Sequence, residues 1–136
     1  MAIKTTFTVL LTLFLTTACT NMDSIRSHQF EGVYVADFNS DDIKSCRPSD
    51  VELSHSQAKQ FFIRSRQVEH KIIHDHYNYA PCYIEGTMKY NARLCQWQIR
   101  AGATGFIKCG KDKQFFVCDR CEELFQPNEP NSNGSD

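Results

Sequence analysis

The chain has 136 residues, 23% of them charged, and a formal net charge of −1. That length serves one domain rather than two. The near balance of charge excludes the basic stripe of a nucleic-acid binder, so no nucleic-acid partner is expected.

Residues 1–18 carry one charge, Lys4, followed by an apolar run from Phe7 to Leu15 and the small-residue end Thr16-Thr17-Ala18. Charge, apolar run and small residues in that order predict a secretory signal peptide. The run falls short of the roughly 20 residues that span a bilayer. Thr16-Thr17-Ala18-Cys19 resembles the lipobox of bacterial lipoproteins, whose cysteine becomes the acylated first residue. That class usually has Leu three places before the cysteine; here Thr16 stands there and Leu15 is one place further away. Cleavage by an ordinary signal peptidase after Ala18 fits the same small residues. The resemblance implies palmitate-type acylation of Cys19 and attachment to the membrane through that lipid. With Thr20 rather than Asp after the anchor, it implies an outer-membrane lipoprotein facing the periplasm. Removing the signal takes the net charge to about −2 and leaves no polybasic segment, so the lipid alone would hold the membrane.

Seven cysteines are present. Assigning Cys19 to the lipid leaves Cys46, Cys82, Cys95, Cys109, Cys118 and Cys121, an even set that reads as a disulfide framework in an exported protein. The sequence does not choose the pairing. One pair has a geometric argument: a turn flanked by Arg100 and Gly105 sets Gln96 opposite Cys109, leaving Cys95 one register step away.

Residues 19–28 are polar and aperiodic and read as a lipid-anchored tether. The folded domain is expected over 29–125. Its first strand is Gly32–Phe38, where apolar and other residues alternate. Asn39-Ser40-Asp41-Asp42 ends it with turn chemistry. A helix starts after Ser54, which forms a capping box with Gln57. Ala58, Phe61, Phe62 and Ser65 make its inward stripe, and it is expected to reach Val68 or beyond. From Pro81 the period changes to two. Short strands over 82–90, 95–100, 106–109 and 114–118 are joined by turns, with the glycines of Ala101–Gly105 free to take positive φ. Residues 126–136 hold prolines and asparagines without large apolar groups and read as a disordered tail.

These elements predict an α+β fold: one N-terminal strand and one amphipathic helix packed on a four-stranded antiparallel meander, stapled by disulfides. The order resembles the cystatin-like fold. The glutamine-valine-glycine inhibitory loop of protease-inhibiting cystatins is absent, because Gln67-Val68 lacks the glycine.

Cys118-x-x-Cys121 has the spacing of a thiol–disulfide motif, but Asp119 and Glu122 discourage a thiolate, which favours a structural bridge. Cys109, Cys118 and Cys121, joined by Cys95 or a histidine, are also a candidate zinc set. His70, His74 and His76 lie in EHKIIHDH; on a helix, His70 and His74 share a face at i, i+4, a spacing suited to metal ligation. Tyr77, Tyr79 and Tyr83 around Pro81 are candidates for partner contact. Arg64, Arg66 and Lys71 read as a solvated helix face. No Gly-x-Ser-x-Gly elbow occurs, and Ser56 beside His55 reads as a helix-start serine. The expectation is a non-enzymatic envelope binding protein with no cofactor and a protein partner. Immunity or inhibitor roles, or support of an envelope complex, would fit. The alternatives are a metal-handling lipoprotein using the histidines and a thiol-active protein using Cys118 and Cys121.

Overall fold

Alternation along the second half of the chain sends every second side chain to one face of a sheet, and the first half supplies the helix that covers it. A computed structural model of the chain describes residues 22–126. The signal peptide, Cys19 and residues 127–136 lie outside the described residues. The elements are α1 (Met22–Gln29), β1 (Phe30–Ser40), α2 (His55–Arg64), β2 (Arg66–Val68), α3 (His70–His76), β3 (Cys82–Tyr90), β4 (Arg93–Arg100), β5 (Thr104–Cys109) and β6 (Asp112–Val117). Short 3-10 turns occur at Pro48–Asp50 and Glu122–Phe125.

The α+β class and the stapling cysteines are as expected, but the layout differs. The sheet has six strands in the order β1-β3-β4-β5-β6-β2, all neighbours antiparallel. β1 is longer than predicted and joins the sheet beside β3, from Phe30 opposite Tyr90 to Ser40 opposite Cys82. Two irregularities bend it, and Gly86 gives it room: a Cβ there would lie 1.8 Å from the Tyr34 carbonyl oxygen and 2.8 Å from the Trp97 ring. Met22–Gln29, most of the expected tether, is helical, and Arg26 donates to the Ser65 carbonyl at 2.7 Å.

Ser54 caps α2 as its sequence predicts, in a reciprocal box with Gln57. The helix stops earlier than expected. Ser65 is fully buried, and both its N–H and its hydroxyl donate to the Phe61 carbonyl. The next three residues are extended and satisfy their backbone on the free edge of β6, with Arg66 opposite Val117 and Val68 opposite Phe115. A second short helix, α3, then follows.

α2 lays Ala58, Phe61, Phe62 and Ile63 against one sheet face. There Phe62 meets Trp97 and Phe116 edge-on, with ring centroids 5.8 and 5.7 Å away. Edge contacts of this kind contribute about 0.5–1.5 kcal/mol beyond area burial. Three disulfides frame this core: Cys46–Cys82, Cys95–Cys109 and Cys118–Cys121, with Cα separations of 5.5, 4.5 and 5.6 Å. The β4–β5 hairpin closes one residue tighter than the sequence predicts. Arg100 pairs with Thr104, and Gln96 pairs with Lys108, which brings Cys95 level with Cys109. Ala103, not a glycine, takes the positive φ (57°). A three-residue loop needs a left-handed residue at its last position, and that position is Ala103.

Candidate functional site

The face of the sheet that α2 does not cover carries three cross-strand rows. Tyr83, Arg100, Thr104, Val117 and Arg66 form the first. Glu85, Gln98, Phe106, Phe115 and Val68 form the second, and Thr87, Gln96, Lys108 and Lys113 the third. Residues 69–81 leave β2 at one edge and cross above this face to enter β3. α3 forms the first part of that crossing, and the His70 ring lies 4.6 Å from the Phe115 ring.

Two tyrosine–aspartate–arginine clusters fasten the crossing. Near one edge, the Tyr77 hydroxyl donates to Asp119, and Arg66 donates to Asp119 at 2.7 Å and to the Tyr77 oxygen at 3.0 Å. Nearer β3, the Tyr79 hydroxyl donates to Asp41. Arg100 donates to Asp41 and to the Ala80 carbonyl, both at 2.9 Å. The Arg100 guanidinium also lies 5.0 Å from the Tyr79 ring centre and 4.8 Å from that of Tyr83. The charges leave their mark. Hydrogen bonds from Arg66 and then Tyr77 hold the Asp119 carboxyl below its ordinary range, and those from Tyr79 and then Arg100 do the same for Asp41. The phenols of Tyr77 and Tyr79 are pushed up, chiefly because each donates to its aspartate.

Between crossing and sheet lies a groove of about 480 Å³, within the range of small-molecule sites. His70, Ile73, His74, Tyr77 and Tyr79 form its roof and sides, and Gln98, Arg100, Thr104, Phe106, Lys113 and Phe115 its floor. Among the described residues, no carboxylate lines it. The Lys113 ammonium sits 3.8 Å from the centre of the Phe106 ring. Partial desolvation, then the charges of Lys108 and Arg100, push that ammonium's pKa down. No salt-bridge partner for Lys113 occurs among the described residues.

No known family model, curated protein or solved structure matches this chain. The site is therefore read from its own geometry.

Two sets of sequence candidates meet in this one groove: His70 and His74 from the histidine cluster, and Tyr77 and Tyr79 from the tyrosine-rich stretch. His76 does not line it, and Tyr83 supports Arg100 from the neighbouring strand. Among the described residues, the one set of three metal-ligating side chains with atoms within 4.8 Å of one another is Cys46, Asp50 and Cys82, and its two sulfurs form a disulfide. The three histidines are not drawn to a common point. Cys95, Cys109, Cys118 and Cys121 are joined in pairs rather than grouped as a zinc set, and the Cys118–Cys121 bridge is buried. In the basic set, Arg64 pairs with Glu123 and Arg66 with Asp119.

Sequence reasoning missed Gln98, Arg100, Thr104, Phe106, Lys113 and Phe115. Their signal was present but faint. On a strand with one wet face, the off-core positions should be polar, yet Phe106 and Phe115 are large and apolar there. Two aromatic residues at such positions mark a face with a second covering.

Proposed function

We propose that the chain is an exported, lipid-anchored binding protein of the cell envelope, and that the groove beneath residues 69–81 is its binding site. One observation carries the binding part: a roofed groove whose floor joins aromatic rings to Arg100 and Lys113, with no carboxylate among the described residues in its lining. Concave sites with an apolar lining and a few convergent polar groups are the usual form of a ligand site. The export and anchoring part rests on the order Lys4, apolar run, Ala18, Cys19 at the start of the chain. A protein partner in the envelope remains the favoured setting, in an immunity, inhibitor or complex-supporting role, and no catalytic role is proposed.

The test uses the full chain purified from its own membranes. Intact mass should show an acyl-modified chain beginning at Cys19, with the remaining six cysteines blocked until reduction. Native mass spectrometry should show a bound species that is lost when Ala80→Trp fills the groove. An unlipidated mass would remove the anchor. A bound species kept by Ala80→Trp would remove the groove.

The second reading is metal handling, favoured by His70 and His74 standing one turn apart on α3 and both facing the groove. Calorimetric titration with copper and zinc separates the two. Micromolar binding lost in a His70→Ala/His74→Ala variant would promote the metal reading, and absence of heat would retire it.

A further inference from the structure

Two of the groove's polar groups, Arg100 and Lys113, are donors only. Lys108 and Lys113 stand directly opposite on β5 and β6. Like charges in direct cross-strand opposition are destabilising, and of the two only Lys113 lines the groove, so an anion there would relieve the pair. Gln98 and Thr104 are only 8% and 4% exposed, and both line the groove. Their amide and hydroxyl stand beside the Lys113 ammonium in the lining. A ligand that supplied acceptor oxygens would satisfy the Gln98 amide, the Thr104 hydroxyl and the Lys113 ammonium together.

Charge sets the ligand's valence. Arg100 is already neutralised by Asp41 at 2.9 Å, so among the described residues Lys113 is the one unpaired permanent cation in the lining. That balance suits a monoanion better than a doubly charged phosphate. The remaining lining, Ile73, Ala80, Phe106 and Phe115, is apolar and calls for a hydrocarbon or aromatic body beside the anion.

We infer that the groove binds an organic monocarboxylate with an aromatic or apolar body, its carboxylate held by Gln98, Thr104 and Lys113. This rests on the groove being the binding site. Two sources offer the same chemistry, a free aromatic acid and the C-terminal residue of a protein ending in an aromatic side chain.

The test follows backbone amide shifts of the full chain during titration. The probes are N-acetyl-phenylalanine, its neutral C-terminal amide, the cation phenethylamine, and a ten-residue peptide ending in phenylalanine with a free or an amidated terminus. The carboxylates should move the Gln98, Phe106 and Phe115 signals and bind at least tenfold more tightly than their amides. Lys113→Met should weaken carboxylate binding at least tenfold, Lys113→Arg should restore most of it, and Gln98→Leu should weaken it several-fold. Lys113 is exposed, so its variants are expected to keep the wild-type unfolding midpoint. A free-terminus peptide binding tenfold more tightly than N-acetyl-phenylalanine assigns the source to a protein C-terminus, whereas equal binding assigns it to a free acid. Amide or amine probes that move the same signals as strongly as the carboxylates would overturn the carboxylate assignment and leave the groove standing. Probes that leave those signals unmoved would overturn both.

Discussion

Replacing each cystine by two alanines should destabilise the fold in the order of the chain it encloses. The bridges span 36 residues for Cys46–Cys82, 14 for Cys95–Cys109 and 3 for Cys118–Cys121. Loop-closure entropy removed from the unfolded chain then gives about 4, about 3 and about 1.5 kcal/mol respectively. Packing does not reorder them. Five of the six cysteines are buried and Cys46 is half-buried, so each pair of alanines leaves a similar small void. A domain of this size has only about 5–15 kcal/mol in hand, so the Cys46→Ala/Cys82→Ala variant should sit close to unfolding. Urea unfolding of the three double variants, with all other cysteines oxidised, measures this directly. Equal losses, or the largest loss at Cys118–Cys121, would show that the bridges act through native packing rather than through the unfolded chain.

Other expectations follow from particular sites. Ala92 holds φ at 63° in the two-residue β3–β4 turn; Ala92→Gly relieves about 1–2 kcal/mol of left-handed strain at an entropic cost of about 0.5–1 kcal/mol, so the urea midpoint should rise slightly. Gly86→Ala places a methyl against the Tyr34 carbonyl and should cost about 1–3 kcal/mol or more, with faster amide exchange along β1 than elsewhere in the sheet. Asp41 and Asp119 have folded pKa values below the ordinary one, so the stability they add is present above about pH 4 and is lost as pH falls through the folded values. An Asp41→Asn/Asp119→Asn variant should therefore show a flatter acid limb in urea midpoint against pH, with the amides of residues 69–81 exchanging faster at neutral pH. An unchanged limb would mean that the two clusters do not hold the crossing.

Much of the helix-and-sheet skeleton could be read locally. Ser54 and Gln57 announce their cap within four residues, and the alternation through Ile84, Met88, Cys95, Trp97 and Ile99 is the burial pattern of β3 and β4. What escaped depends on partners distant in sequence. β2 and α3 are three and seven residues long. Segments so short have little stability of their own, and β2 exists because the edge of β6 is free to receive it. The Cys95–Cys109 pairing turned on one residue of hairpin register. The tyrosine and histidine candidates could be named from the sequence, but their meeting place could not. It is assembled from β4, β5, β6 and the crossing, and no short window contains it.

The sheet's two faces answer to different demands, and the consequence is evolutionary. Along β4, residues 95, 97 and 99 face the aromatic packing under α2, while 98 and 100 face the groove; along β5, 107 and 109 alternate with 104 and 106 in the same way. Substitutions that retune ligand preference therefore fall between the positions that decide whether the domain folds, not among them. A lineage could exchange one ligand for another by changing alternate residues on three neighbouring strands while the rest of each strand stayed fixed. Homologues, when compared, should diverge with a period of two along β4–β6, and the variable positions should be those that line the groove.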